Sequence, residues 1–276
     1  MQSLEQIPLD FDRAFPIAPY LSEVAAKSRL RNEREAVSAG IPQPQYGVAI
    51  SNHIIRSALF GISETEAFKK ETPIAAIDGI SISIVRGQRP NQVHLDVWAE
   101  CIRLSYQHGT GTPIRFSAYA MLKAVGRTNG GTDRKFLFDI LADLASCLVR
   151  VKYRNGPSYY GTLISGWFEN SVKTEYAIEI NPRLATLYID NAWTAISSEQ
   201  RRLLKKHPLA QWLHAFYSSH SAPVAMNVAT IRDLCGSGTK ELFSFRQKLR
   251  KALKQVSAVS GWQCSINEKD KVVVEK

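Results

Sequence analysis

The residues best suited to chemistry lie between positions 239 and 256. At about 100° per residue, Leu242, Phe245, Leu249, Ala252, Leu253 and Val256 fall on one face of a helix. Opposite them stand Lys240, Ser244, Gln247, Lys248, Lys251 and Lys254, with Arg250 on the flank. Lysine and arginine heads suit phosphate oxygens, while serine and glutamine side chains suit base edges. Lys269 and Lys271 add cations beside the turn that follows, Asn267–Asp270. This is the chemistry of non-covalent polyanion recognition, and duplex DNA satisfies both parts of it. A solvated lysine-rich face is the alternative. A glycine turn before the helix and a hairpin after it favour DNA contact.

Covalent chemistry finds less support. Neither Gly109-Thr-Gly111 nor Gly236-Ser-Gly-Thr-Lys240 has the glycine, lysine and hydroxyl spacing that cradles nucleotide phosphates. His207, His214 and His220 sit in an aromatic helical stretch without acidic neighbours, so packing and capping account for them better than metal ligation. Cys101, Cys147, Cys235 and Cys264 are far apart and read as buried free thiols. No metal and no cofactor are expected. Tyr217, near His214 and His220, leaves a tyrosine DNA strand-transferase open as the enzymatic rival.

Charge places the binding chemistry along the chain. Of 276 residues, 35 are Lys or Arg and 25 Asp or Glu, a formal net charge of +10. Residues 201–276 carry 14 basic and 5 acidic side chains against 21 and 20 before them, so +9 of the +10 falls in the last quarter. The C-terminal part is therefore the electrostatic partner-binder. A hydrophobic content of 45% can fill cores, and the length suits two small domains. The expected division is a partly disordered tail over 1–45, a first domain over 46–190 and a second, DNA-reading domain over 191–276. No apolar run approaches the roughly 18 residues of a membrane helix, and Met1–Phe11 lacks a signal-peptide pattern. A soluble, cytoplasmic protein without a membrane partner is expected.

The elements that must position these residues follow from periodicity and breakers. Ile74–Arg86, with Asp78-Gly79 inside it, reads as a hairpin. Leu95–Gln107 reads as a helix ended by Gly109-Thr-Gly-Thr-Pro113. Ser117 caps a short helix, Gly126 and Asn129-Gly-Gly131 form a turn, and Thr132 caps a helix to Ser146. Leu148–Tyr153, Tyr159–Trp167 and Tyr176–Ile180 read as strands, the first two parted by Asn155-Gly-Pro157. The order recurs downstream. A helical stretch Glu199–Ser218 broken near Pro208 and a helix Asn227–Leu234 precede the turn Gly236-Ser-Gly238. Thr239 then caps the long helix, and Trp262–Ile266 and Lys271–Glu275 close the chain. An offset of 107 matches Gly131-Thr132 with Gly238-Thr239. The expected fold is α+β: tandem winged-helix domains, two helix-turn-helix units each with a β-hairpin wing. On the first unit's long helix, Asp139 and Asp143 stand among the exposed residues, so only the corner at Arg127, Arg134 and Lys135 suits phosphates.

These stretches also resemble a known family. Arg56-Ser-Ala-Leu-Phe-Gly61, Leu95-Asp-Val-Trp98, Tyr119-Ala-Met-Leu-Lys-Ala-Val-Gly-Arg127, Pro208-Leu-Ala-Gln-Trp-Leu-His-Ala-Phe-Tyr217, Leu234-Cys-Gly-Ser237 and Phe245-Arg-Gln-Lys-Leu249 are similar to blocks of the TrfA-type plasmid replication initiators of broad-host-range plasmids. The similarity runs from about Gly47 to the C-terminus. It implies a bacterial cytoplasmic protein that binds directly repeated origin sequences (iterons), opens the origin and helps load the host replication machinery, its initiator and helicase. It also implies a dimer as the less active form, and with it plasmid copy control. In the tail, Gln6, Leu9 and Phe11 match the spacing of a peptide that docks on the sliding clamp. Packing of Leu9 and Phe11 on the first domain is the alternative. A winged-helix transcriptional repressor without origin opening is the non-enzymatic rival.

Overall fold

Buried side chains gather into two cores in the computed structural model, which describes residues 31, 35, 40–63, 66–77, 79–109, 111–153, 158–169 and 176–276. Gln6, Leu9, Phe11, Asp78 and the Asn155–Pro157 turn lie outside the described residues.

The first core begins with β1 (Val48–Ser51), α1 (Asn52–Ile55), β2 (Ala67–Phe68), β3 (Thr72–Ile74) and β4 (Ile80–Gln88). Strands β3 and β4 pair antiparallel with Ile74 opposite Ile82, the hairpin that the Ile/Val pattern predicts. Next come α2 (Gln92–Ser105), β5 (Ile114–Phe116), α3 (Ala118–Ala124) and α4 (Gly131–Ser146). Then follow β6 (Leu148–Tyr153), β7 (Ser158–Thr162), β8 (Ile164–Glu169), β9 (Tyr176–Ile180), a 3₁₀ segment (Pro182–Asn191) and β10 (Trp193–Ile196). The second core takes α5 (Ser198–Leu203), α6 (Pro208–Ser218), β11 (Met226–Asn227), α7 (Val228–Leu234), α8 (Leu242–Ser260), β12 (Gln263–Ile266) and β13 (Lys271–Glu275).

Both cores repeat one order of helix, strand, helix, helix, strand, strand: α2–β5–α3–α4–β8–β9 and α6–β11–α7–α8–β12–β13. In each, the first strand pairs with the last, giving antiparallel sheets β5-β9-β8 and β11-β13-β12. The helix–helix turns correspond at an offset of 110, not 107. Met121 corresponds to Ile231 in the cores, and the positive-φ Gly126 corresponds to Gly236. In both turns the glycine N–H and the next one bond back to the preceding helix, as in a Schellman end. The first unit carries an insertion: β6 and β7 leave its helices to join β2, β3 and β4 in a five-stranded sheet. Strand β10 pairs with β1, and Ile196 packs in the first core, while the second core's buried residues begin at Leu204.

Three local expectations change. The run Tyr159–Trp167 is not one strand but β7 and β8, which belong to different sheets. Alternation fails at Leu163-Ile164, both fully buried, and the Thr162 hydroxyl donates to the Ile164 carbonyl (2.7 Å) at the crossing. Thr132 is not a cap, because α4 starts after Gly130 with no side-chain cap, and Asp133 in its first turn holds Arg127 and Thr128 instead. Thr239 is not a cap either. Helix α8 starts after Glu241, and the Thr239 hydroxyl accepts from Lys248 Nζ (3.1 Å) instead of from backbone. At its far end α8 runs to Ser260 and stops at the left-handed Gly261.

The units meet across a buried polar joint. Arg201, only 4% exposed, extends from α5 to Asp96 of α2 (Nε to Oδ1, 2.7 Å). Its other nitrogens donate to the Gln92 side chain (3.2 Å) and backbone (3.3 Å) and to the Gln211 carbonyl (3.4 Å). Gln211 donates in turn to the second Asp96 oxygen (3.1 Å). Trp212 Nε1 reaches the Ser57 carbonyl (3.3 Å), and Arg56 grips Ser219 (2.8 Å). Removing one partner of such a buried pair strands the other, at a cost of about 3 to 5 kcal/mol. Arg201→Met is therefore expected to destabilise the protein by about 3 kcal/mol in urea titration, with the double variant Asp96→Leu/Arg201→Met regaining part of the loss. Equal midpoints for Arg201→Met and the parent would show that the joint holds nothing.

Candidate nucleic-acid interface

Helix α8 presents a buried stripe and a polar exterior for the reason its spacing predicts. Phe245, Leu249, Ala252, Leu253 and Val256 are buried. Lys240, Gln247, Lys248, Arg250, Lys251 and Lys254 are exposed, and Ser244 is half-buried. Lys240 precedes the helix, and its carbonyl accepts from Arg232 (3.3 Å). Among the described residues Lys251 and Lys254 make no ion pair and the Gln247 side chain no hydrogen bond, so this outer strip is free to meet a ligand.

The β12–β13 hairpin is held to the same helix by a pair the sequence reading did not single out. Arg246 donates from Nε and Nη2 to the two carboxylate oxygens of Asp270 (2.7 and 2.8 Å). This bidentate bond holds the Asp270 carboxyl below the usual range and raises the Arg246 guanidinium further. Asp270 sits at φ 54°, a conformation that asparagine and aspartate tolerate. The Asn267 side chain closes the turn by accepting the N–H groups of Lys269 (3.1 Å) and Lys271 (3.0 Å). Lys269 is thereby exposed at the hairpin tip and Lys271 is half-buried at its base.

The first unit's corner is more neutral than its sequence implies. Arg127 binds Asp133 (2.9 Å) and lies over the Phe136 ring, its guanidinium carbon 3.4 Å from the centroid. Arg134 donates to Asn129 (2.9 Å), and Lys135 pairs with Asp139 (2.7 Å). The structure brings these three residues to one end of α4, each with a local partner. Beside them on α3 stands Tyr119, 54% exposed, with Lys123 Nζ 5.9 Å from its ring. An aromatic next to a lysine at i+4 is the sequence signal that could have found this pair.

Each unit also touches the other's helix–helix turn. Ile62 N–H donates to the Cys235 carbonyl (2.9 Å), and Ser63 Oγ donates to the Gly236 carbonyl (2.9 Å) while accepting the Gly238 N–H (2.9 Å). A side chain at Gly236 would press on Arg89, Ala58 and Gly61, and its φ of 63° is also glycine-favouring. Reciprocally, Lys205 Nζ donates to the Gly126 carbonyl. Between α6 and α8 this arrangement leaves an open groove of about 820 Å³, whose cationic wall is Lys206, Lys248 and Lys251.

The side chains considered for covalent chemistry are packed. Tyr217 is 1% exposed within the second core, so a phosphodiester cannot reach it in this conformation; its hydroxyl has no hydrogen-bond partner among the described residues, and burial pushes its pKa up. His214 is buried, stacked on Trp262 and bonded to Gln200 (2.8 Å). His220 contacts the Phe216 carbonyl (2.8 Å), and His207 is the exposed residue before Pro208. Cys101, Cys147 and Cys235 are buried thiols, and Cys264 is half-buried. Among the described residues no three His, Cys, Asp or Glu side chains form a metal set, and no helix is long and apolar enough to cross a membrane.

No protein-family model matches the chain, and no curated protein sequence matches it significantly. Solved structures do. A selenomethionine form of domains 2 and 3 of RctB superposes with a TM-score of 0.57 at 16% identity, covering 82% of this chain and 96% of that one. A second structure of RctB domains 2–3 gives 0.50 at 15% identity, covering 80% and 94%. At such identity the likeness is one of fold, and it spans both units.

Burial, then the nearby Arg201 and Lys276 charges, lower the His214 pKa from 6.5 to about 4. The folded value lies below the unfolded one, so this contribution is complete above pH 6.5 and is lost as pH falls from there towards 4. Its ceiling is roughly 3 kcal/mol. Melting temperature is expected to fall over that window, and His214→Gln is expected to flatten the fall. Parallel pH profiles for parent and variant would exclude His214 as the cause.

Proposed function

We propose that this protein is a DNA replication initiator, built from two winged-helix units, which binds directly repeated origin sequences through its second unit. The observation that carries the reading is the outer strip of α8: Lys251 and Lys254 are exposed and make no ion pair among the described residues, Gln247 is exposed beside them, and the adjacent hairpin is fastened to the same helix by Arg246–Asp270. A helix for the major groove with a hairpin beside it is the arrangement of a winged-helix DNA reader. The identical strand order in both units supports a tandem of such domains. RctB, whose domains 2–3 share the fold across most of this chain, is a replication initiator, which favours that role over a repressor.

The finer reading follows the TrfA-like blocks. On it the protein is a plasmid initiator of the bacterial cytoplasm that opens its origin by binding energy alone. It recruits host initiator, helicase and sliding clamp, the last through Gln6, Leu9 and Phe11, and it self-associates into a dimer. Buried Tyr217 supports a non-enzymatic role, since a strand-transferase needs its nucleophile at the DNA surface.

Binding to duplexes carrying tandem repeats from the encoding replicon, measured over a range of salt, tests this. Each lost phosphate contact flattens the log affinity against log salt slope by about 0.9, so Lys251→Ala/Lys254→Ala is expected to flatten it by roughly 1.8. Unchanged affinity and slope would remove α8 from the interface. A covalent protein–DNA adduct that Tyr217→Phe abolishes would overturn the non-enzymatic reading.

A further inference from the structure

Phosphate binding leaves one exposed feature of α8 unused. Phe243 lies in the helix's first turn and is 65% exposed, while its neighbours Leu242 and Phe245 turn inward. No ring stacks on it among the described residues. It stands one turn before Gln247 and beside Ser244, on a surface that otherwise offers cations and hydrogen-bonding groups. The fold does not demand a ring there, because at the offset of 110 the corresponding place in the first turn of α4 is Asp133.

A benzene ring has nothing to offer a phosphate. The apolar group displayed in the major groove is the C5-methyl of thymine, and the N-terminal residues of a groove-entering helix are those that reach base edges. Glutamine fits adenine at N6 and N7, so Gln247 suits the same kind of base pair. We propose that Phe243 selects thymine in the bound sequence by packing on its C5-methyl, with Gln247 reading a neighbouring adenine. This rests on the duplex-DNA reading of α8 and adds the base it prefers.

The test begins with selection of preferred sequences from a random duplex library by the full chain. Each thymine of the selected duplex is then replaced in turn by deoxyuracil, which lacks only the methyl. At one or two positions the parent is expected to bind about fourfold more weakly, the worth of one buried methyl group. Phe243→Ala is expected to bind thymine and deoxyuracil duplexes equally, and Phe243→Leu to keep a preference. Lys251→Ala is expected to weaken both without changing their ratio. A parent indifferent to the methyl at every position, as an inserted wedge or a protein-binding ring would be, overturns the inference while leaving DNA binding intact. So does a Phe243→Ala variant that keeps the parent's ratio. A parent that binds no duplex overturns both.

Discussion

A buried guanidinium must find acceptors, and Arg201 finds them in both units at once. Its carboxylate partner Asp96 and the Gln92 groups belong to the first unit's α2, whereas α5 and Gln211 belong with the second core. Rotation about this joint would separate charge from counter-charge inside the protein, so the pair acts as a lock on orientation more than as a source of net stability. Two weaker links repeat the restraint at the helix–helix turns: Ser63 on the Gly236 carbonyl and Lys205 on the Gly126 carbonyl. Each lies at a positive-φ glycine that ends one helix and aims the next. The direction of α8 is thereby set partly by the first unit's Gly61–Ser63 loop.

Within that frame, local pairing decides which cations can face a polyanion. On α4 the acids stand one or two turns from the bases, and Lys135–Asp139 and Arg127–Asp133 neutralise each other. Pairs so near the surface add little stability, so their effect is chiefly to cancel field. Among the described residues the ion pair that α8 makes is Arg246 with Asp270, on the flank facing the hairpin. The outer strip keeps its charge because the pairing residue is directed elsewhere. The charge asymmetry visible in the sequence thus becomes an asymmetry between the two helices.

Much of this was legible from spacing. The buried stripe of α8, the break at Pro208, the Ser117 cap and the closing hairpin all follow from periods and breakers that act locally. Local rules fail where partners are distant. Thr239 and Thr132 have the right chemistry for caps, but Lys248 engages the Thr239 hydroxyl, and Thr132 lies inside a helix that starts after Gly130 without a side-chain cap. The split of Tyr159–Trp167 depends on β7 finding β6, which no window of residues contains. Arg201, Asp96 and Gln211 carry no motif, because a joint between units is a coincidence of surfaces. The helix-turn repeat was visible as an order of elements but was placed three residues off, since Gly-Thr at 131 and 238 is a closer match in letters than Gly126 and Gly236.

The locked joint bears on how the proposed initiator would work. A protein with hinged reading heads can follow a straight duplex, and its binding energy then does little to the DNA. Here the first unit's corner and the outer strip of α8 are held at one separation by Arg201 and by the reciprocal turn contacts. If both touch one duplex, the misfit between their spacing and straight B-DNA falls on the softer partner. Smoothly bending a site of 20 to 30 base pairs costs about 1 to 6 kcal/mol, comparable to breaking the joint's ion pair at about 3 to 5. Flexible pyrimidine–purine steps lower the first figure and leave the second alone. The duplex would therefore yield before the protein does, and strain from successive bound copies would accumulate in the DNA, where an origin has to open.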